Sequence, residues 1–272
     1  MNARLAASGM VLGADDGHAS IEARVAAFDW ENIGVQLDAR GNAILPGLLS
    51  RAECAALAAL YDDDARHRSR VVMARHGFGS GEYRYFRYPL PAAVQALRAS
   101  LYPRLVPVAN RWNRAMKLDV VYPDPHADFL ERCHAAGQQR PTPLLLRYGE
   151  GDYNCLHQDL YGEHVFPLQV AVLLSRPGSG VVIDGHGDGV GAAGAAEGDF
   201  EGGEFVLTEQ RPRMQSRVEV VPLRQGDAVV FTVHQRPVQG TRGVYRVTMR
   251  HGVSRLRRGH RHTLGVIFHD AA

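Results

Sequence analysis

The chain has 272 residues, a formal net charge of +2 and 45% hydrophobic residues, which is enough to bury most of the apolar surface of a large domain. It contains no apolar run near the roughly 20 residues that span a membrane, and its Ala-rich start predicts no secretory signal. Lys117 is the only lysine, so the arginine content is more typical of codon usage than of a nucleic-acid partner.

The cysteines indicate the compartment. Cys54, Cys133 and Cys155 show neither the paired spacing of a metal site nor a disulfide framework. A reducing, cytoplasmic location is therefore expected, with no membrane association and no obligate protein partner evident.

The sequence divides into three regions. Residues 1–28 are expected to form a flexible N-terminal tail, and residues 29–142 a mainly helical region. From residue 143 to residue 272 the pattern changes to short β runs separated by Gly and Pro. The predicted fold class is α+β, with the helical region packed on a β core.

Helix signals mark three places in the second region. Ser50 and Glu53 have the spacing of a capping box, so a helix should begin there. Pro91 is placed to start a second helix. Residues 128–134 predict a third, short helix that ends before a glycine.

Residues 66–88 combine arginines with tyrosines and phenylalanines. Such a segment could bind phosphates and stack a base, and Gly77, Gly79 and Gly81 would let it close over a site as a lid. The alternative is an edge hairpin whose aromatic side chains face the core and whose arginines are solvated. The residues alone leave both interpretations open.

The third region predicts an antiparallel jelly roll, or double-stranded β-helix, of about eight strands. The predicted strands are 144–148, 153–160, 168–174, 204–207, 217–223, 228–233, 246–249 and 263–268. A Gly/Ala-rich insertion at 177–199 interrupts them. His186 within it lies between Asp184 and Asp188, but so many glycines favour a solvated loop over a second metal site.

His157 and Asp159 form a His-x-Asp motif in one of these strands. Side chains two residues apart leave the same face of a strand, so an imidazole and a carboxylate converge there. Two imidazoles and one carboxylate make the facial triad of non-haem Fe(II) oxygenases, which keeps open positions for co-substrate and O₂. A second histidine is therefore needed.

His251 and His234 compete for that role. His251 is followed ten residues later by Arg261, which opens an apolar strand. His234 is followed at eight residues by an arginine and a weaker strand start. His251 is favoured because a guanidinium at a strand start can bind a carboxylate in a bidentate manner.

This pattern resembles the 2-oxoglutarate/Fe(II) dioxygenases. The resemblance implies that His157, Asp159 and His251 hold Fe(II), and that Arg261 binds the distal carboxylate of 2-oxoglutarate. Residues 147–153 are also similar to the motif lead-in of prolyl hydroxylases, in which a tyrosine hydroxyl bonds 2-oxoglutarate. By that likeness Tyr148 takes the role, with Tyr153 as the reserve candidate. Tyr148 and Tyr153 are otherwise ordinary half-buried strand tyrosines.

Residues 152–166, 202–212 and 251–255 are similar to a bacterial family described as an oxygenase that acts oxidatively on methylated, damaged DNA. The resemblance implies C–H hydroxylation with Fe(II), 2-oxoglutarate and O₂, releasing succinate and CO₂. Alkylated DNA is then the leading substrate, through oxidative demethylation of a base. The alternatives are a peptidyl (prolyl-type) or small-molecule hydroxylase, and a non-catalytic metal or 2-oxoglutarate sensor.

Overall fold

Helices and antiparallel sheets make up residues 19–178 and 198–272, the part of the chain that the computed structural model describes. The α-helices are α1 (Ile21–Ala27), α2 (Trp30–Arg40), α3 (Arg51–Ala59), α4 (Ala92–Met116) and α5 (His126–Ala135). Short 3₁₀ turns cover Leu60–Asp62, Asp64–Arg66 and Met73–Arg75. No helix of the described residues is long and apolar enough to cross a membrane.

The strands pair antiparallel in two large sheets and one small one. They are β1 (Asn42–Leu45), β2 (His67–Val72), β3 (Gly79–Ser80), β4 (Glu82–Phe86), β5 (Leu144–Tyr148), β6 (Tyr153–His157), β7 (Leu168–Leu173), β8 (Phe200–Gly202), β9 (Phe205–Gln210), β10 (Arg217–Val221), β11 (Ala228–Thr232), β12 (Gln235–Gly240), β13 (Gly243–Val253), β14 (Leu256–Gly259) and β15 (Arg261–Val266).

The strand order defines a major and a minor sheet. The major sheet runs β1-β11-β7-β15-β5-β4-β2, and the minor sheet runs β10-β9-β13-β6-β3 with β12 paired to β13. Each of the eight predicted strands has a counterpart among these, which confirms a mixed fold rich in antiparallel strands. The sequence did not predict β1, β8, β12 and β14, and it left open whether residues 66–88, which contain β2 to β4, form a hairpin.

Helix α4 packs beside the major sheet and supplies much of the core. Its buried side chains recur every three or four residues, as in Leu97, Leu101 and Leu105, which is the spacing of one helix face. The predicted helix start at Pro91 is confirmed as the N-cap, yet the helix continues through Pro103 and Pro107. Burial of this face offsets the roughly 3 kcal/mol that an interior proline costs.

The prediction of a flexible tail up to residue 28 is wrong in its last part. Ser20 caps α1 by accepting a hydrogen bond from the Ala23 N–H at 3.2 Å, and Ile21 and Val25 are buried in the core. Apolar residues four apart on one helix face bury together, so the segment folds. Residues 1–18 lie outside the described part of the chain, as does most of the predicted insertion, including His186.

The prediction of a mainly helical region at 29–142 is incomplete, because this region also contributes strands. The capping box is confirmed: the Ser50 N–H donates to the Glu53 carboxylate at 2.7 Å, and the Glu53 N–H donates to the Ser50 hydroxyl at 3.2 Å. Strands β2 and β4 form a hairpin whose second strand pairs with β5. Residues 66–88 therefore extend the sheet edge, and the turn between their strands lies beside the cavity described below.

Candidate active site

Strand pairing brings the two histidines of the predicted triad together. His157 on β6 is directly opposite His251 on β13, and their ring centroids are 4.1 Å apart. Asp159 follows two residues after His157. Its carboxylate oxygens lie 3.5 Å from Nε2 of His157 and 3.3 Å from Nε2 of His251. One ligand atom from each residue lies within 4.8 Å of the others, so the group can hold a metal ion.

The environment sets the protonation of the three groups. Burial raises the pKa of Asp159, but the hydrogen bonds and charges of His157 and His251 outweigh it and hold the pKa well below its usual value. Burial and the neighbouring His157 lower the pKa of His251. Burial also lowers the pKa of His157, yet its bond to Asp159 leaves that pKa raised overall. Asp159 is thus ionised and His251 neutral, as metal ligands must be.

Neighbouring groups orient the cluster. Nδ1 of His157 lies 2.8 Å from the Cys155 carbonyl oxygen, and a hydrogen bond there leaves the Nε2 lone pair facing the cluster. The Tyr161 hydroxyl donates to Asp159 at 2.6 Å. Tyr161 was not predicted as a site residue from the sequence, although it lies only two residues after Asp159. The Phe231 ring packs on His251 with centroids 4.6 Å apart.

A cavity of about 350 Å³ opens between the two sheets at this cluster. The minor sheet contributes the His157 and His251 side. The major sheet contributes alternate residues of β15 and β5, such as Thr263 and Leu146. Alternation along each strand directs these side chains inward. The walls are mostly apolar, so a bound molecule is shielded from water.

Arg261 lies in the same cavity as a buried cation without a counter-ion. It is 2% exposed, and no carboxylate of the described residues forms a salt bridge with it. One amino group donates to Thr263 Oγ1 at 2.6 Å, while Nε has no partner among the described residues. Burial lowers its pKa to about 10, which leaves it charged at neutral pH. A carboxylate ligand would complete this guanidinium.

The two tyrosine candidates separate clearly. Tyr148 is directly opposite Arg261 in the β5–β15 pair, and it lines the cavity. The Arg261 guanidinium lies 5.7 Å from the centre of its ring. Tyr153 is 42% exposed and does not line the cavity, because its position alternates with that of the inward-facing Asn154. The structure therefore does not bring the reserve candidate to the site.

His234 is also absent from the cluster. Its backbone carbonyl accepts a hydrogen bond from Met249 at 2.7 Å, and its side chain is not part of the cavity wall. His234 directly precedes β12, a strand that pairs with β13 and not with β6. The geometry favours His251.

Three of the six arginines of segment 66–88 form ion pairs. Arg70 pairs with Glu82 at 2.6 Å, Arg66 with Asp63 at 3.5 Å, and Arg84 with Asp64. Among the aromatics, Tyr85 is buried and Tyr83 lines the cavity. These features match the edge-hairpin interpretation more closely than a basic, base-stacking lid.

Together, the fold and the site define a class of protein. An antiparallel two-sheet core holds two imidazoles and one carboxylate that face a cavity. Beside them lies a buried arginine with no ion-pair partner among the described residues. This is the arrangement of non-haem iron oxygenases that use a keto-acid co-substrate.

Comparison with known proteins identifies the family. Residues 81–182 and 190–271 match the family model described as "Oxygenase, catalysing oxidative methylation of damaged DNA". An uncharacterised protein of Mycobacterium tuberculosis, found in two strains, is 46% identical over 187 residues, which cover 69% of this chain and 72% of that protein. The chain belongs to this oxygenase family.

A solved structure supports the fold. A prolyl hydroxylase from Trichoplax adhaerens, in complex with a hypoxia-inducible-factor peptide fragment, aligns with a TM-score of 0.51 and 13% identity, covering 92% of each chain. The prediction of an oxygenase is confirmed by the family match, and the fold of this solved hydroxylase agrees with it. The described residues include the His-Asp-His group that could hold Fe(II), and the use of 2-oxoglutarate and O₂ stays a prediction.

Proposed function

We propose that the enzyme hydroxylates a C–H bond of its substrate, with Fe(II) held by His157, Asp159 and His251. The observation that carries this proposal is the convergence of the two Nε2 atoms on the Asp159 carboxylate. The donor set fits Fe(II), since two imidazoles and one carboxylate leave three coordination positions free. We also assign the distal carboxylate of 2-oxoglutarate to Arg261, whose Nε is unpartnered, and to Tyr148 beside it.

Each residue has a defined task in this reaction. Fe(II) with 2-oxoglutarate and O₂ supplies the oxidising chemistry, with release of succinate and CO₂. Tyr161 holds the Asp159 carboxylate in place through its hydroxyl, and the Cys155 carbonyl orients the ring of His157. Arg261 and Tyr148 fix the far end of the co-substrate, and the apolar walls exclude water.

The eight predicted strands form the jelly-roll core in this proposal. They are divided between the two sheets, with β6 and β13 supplying the ligands and β15 supplying Arg261. A closed pair of sheets places strands distant in sequence side by side. The 2-oxoglutarate and the target group then share one cavity.

A methylated DNA base is the first candidate substrate. The family description supports it, and the cavity is large enough to admit an extruded base next to the co-substrate. Hydroxylation of an N-methyl group would release formaldehyde and restore the base.

A peptidyl or small-molecule substrate is the second candidate. It is favoured by the ion pairs of Arg66, Arg70 and Arg84, because paired arginines neutralise few phosphates. In the remaining alternative, a sensor, the protein would bind metal and co-substrate without turnover.

Substitution of the ligands tests the core of the proposal. Purified protein should consume 2-oxoglutarate and form succinate only with Fe(II), and His157→Ala, Asp159→Ala and His251→Ala should each abolish both iron binding and turnover. The matched control is His234→Ala, which should retain them. Loss of iron binding in His234→Ala but not in His251→Ala would reassign the third ligand, and binding without succinate would indicate a sensor.

Methylated oligonucleotides test the substrate. Formaldehyde release, together with DNA affinity that falls as salt concentration rises, is expected if a DNA base is oxidised. Uncoupled 2-oxoglutarate turnover without DNA serves as the control for correct folding. If that turnover is present but DNA neither binds nor yields formaldehyde, the peptidyl or small-molecule candidate replaces it.

A further inference from the structure

Gln169 places an unsatisfied carboxamide in the cavity wall. It lies on β7, is 3% exposed, and its Nε2 has no hydrogen-bond partner among the described residues. Unpaired buried donors are rare, since each costs the desolvation of an N–H group. The position therefore needs a partner that the described residues do not provide.

Two other nitrogen atoms of the cavity wall are unpartnered in the same way. They are Nε of Arg261 and Nδ1 of His251. The proposed function gives Arg261 a co-substrate, whereas a metal ion at His251 would be bound through Nε2 and would leave Nδ1 without an assigned partner. Gln169 has a buried donor with no partner among the described residues and no assigned ligand.

Strand registers place Gln169 at the end of the cavity near the metal cluster. It is directly opposite Phe231 in the β7–β11 pair, and Phe231 packs on the ring of His251. Arg261 lies toward the other end of the same sheet. Its neighbour Thr263 is opposite Leu173, which is four residues along β7 from Gln169, and Arg261 lies two residues further along β15. At about 3.3 Å per residue, Gln169 and Arg261 are roughly 20 Å apart along the strands.

Among the described residues, the cavity wall has no charged side chain apart from groups with a role in the proposed function. Asp159 and Arg261 are its only acidic and arginine or lysine members among the described residues, and both have roles in the proposed function. The other polar groups near the cluster are already engaged: Tyr161 bonds Asp159, and Gln158 donates to the Met249 carbonyl at 2.7 Å. A cationic group would find no free carboxylate here.

We propose that Gln169 is a specificity-determining residue that donates a hydrogen bond to a carbonyl oxygen of a neutral, planar substrate group. The substrate class is an N-alkylated amide, lactam or imide. This inference rests on the proposed function, since it places the target C–H bond at the cluster. Among alkylated bases, Gln169 then favours neutral bases with a carbonyl next to the methylated nitrogen over bases that carry a positive charge.

Binding of two nucleoside probes tests the proposal independently of activity. The probes are 3-methylthymidine, a neutral imide, and 1-methyladenosine, a cation at neutral pH. Ligand-observed NMR measures their affinities for the metal-free protein and for the anaerobic protein with Fe(II) and 2-oxoglutarate. The wild-type protein should bind 3-methylthymidine more tightly. Gln169→Leu should weaken that binding about five- to tenfold, the usual effect of losing one hydrogen bond, without changing 2-oxoglutarate affinity.

Two further variants complete the test. Gln169→Glu keeps the size of the side chain but replaces the donor by a carboxylate, so it should lose 3-methylthymidine and gain relative affinity for 1-methyladenosine. The matched control is Gln225→Leu, which removes a carboxamide that bonds the Leu174 carbonyl outside the cavity. It should bind both probes as the wild type does.

Several outcomes would overturn the assignment. One is an unchanged 3-methylthymidine affinity in folded Gln169→Leu or Gln169→Glu. Others are a wild-type preference for 1-methyladenosine and no binding of either probe at millimolar concentration. A loss of 2-oxoglutarate affinity in the Gln169 variants would move Gln169 to the co-substrate site. Failure of the proposed function gives a different result, because probe binding to metal-free protein would persist while 2-oxoglutarate consumption is absent.

Discussion

Two buried arginines, Arg98 and Arg261, differ in how completely the protein satisfies their guanidinium groups. Arg98 on α4 donates to Asp270 at 2.6 Å and to the carbonyl oxygens of Ile267 and Phe268 at 2.9 and 3.0 Å. Both members of its ion pair are 0% exposed. Arg261 has one protein hydrogen bond and no ion pair among the described residues.

The difference shows what each region does. A saturated buried ion pair fixes two elements to one another, here α4 and the C-terminal segment, and its partner is costly to leave alone. An unsaturated buried cation contributes little to the fold and keeps its hydrogen-bonding capacity for a ligand. In the proposed function, Arg98 is thus a structural arginine and Arg261 a binding arginine.

The largest effect on stability is expected from Arg98→Ala. This change leaves the Asp270 carboxylate buried with its main partner gone, so the free energy of unfolding should fall by about 3–5 kcal/mol. Chemical denaturation monitored by circular dichroism measures it. The control is Arg111→Ala, whose partner Asp38 is exposed and whose loss should cost under about 1 kcal/mol. Equal losses in both would remove the distinction between buried and exposed pairs.

Arg261 should behave in the opposite way. Arg261→Lys and Arg261→Leu should raise the 2-oxoglutarate requirement roughly 10- to 100-fold, as expected for hydrogen bonds to a charged group. Iron affinity should stay nearly the same, and the thermal midpoint of the ligand-free protein should be equal or higher. Titration calorimetry and thermal melts provide these values. If iron affinity, co-substrate affinity and stability all fell together, Arg261 would be structural like Arg98.

The smallest expected effect is the change in stability with pH that two buried histidines near Arg98 produce. Burial, reinforced by the charge of Arg98, lowers the pKa of both His126 and His269 to about 4, although Asp270 acts in the opposite direction. Between pH 6.5 and 4 the unfolded chain therefore binds more protons than the folded protein, and stability falls as the pH decreases. From pH 6.5 to 5.5 each histidine should contribute at most about 1.4 kcal/mol.

Denaturation curves at a series of pH values measure this slope. His126→Gln keeps a donor for the Phe268 carbonyl, which lies 2.8 Å from Nε2 of His126, but it removes one titrating group. The slope between pH 6.5 and 5.5 should therefore decrease by the contribution of one histidine, at most about 1.4 kcal/mol per pH unit, while other histidines with a lowered pKa, such as His251, keep theirs. A slope identical to that of the wild type would mean that His126 does not titrate in this range.

The core of the candidate site could be predicted because its signals are local. His157 and Asp159 are two residues apart in the sequence, and Arg261 opens a strand, so their spacing indicates that they converge, although β6 ends at His157 and Asp159 lies just beyond that end. Eight of the strands after residue 143 were predicted from the same kind of local pattern. Their ligand and co-substrate roles stay predictions until the variants are measured.

Other features could not be predicted because long-range packing decides them. Only the pairing of β2, β4 and β5 shows that residues 66–88 extend the major sheet, and only burial shows that α4 continues through two prolines. The sequence favoured Tyr148 over Tyr153 only through a motif likeness, whereas the structure shows which of the two side chains faces the cavity.

The sequence by itself determined which residues could form the triad and where eight core strands lie along the chain, since residue type and spacing carry both. Tertiary structure decided which polar groups are satisfied. Gln169 and Arg98 are unremarkable in the sequence, and they differ because one buried side chain meets its partners while the other faces a cavity. Hydrogen-bond satisfaction depends on atoms far apart in the chain, so only the folded protein reveals it.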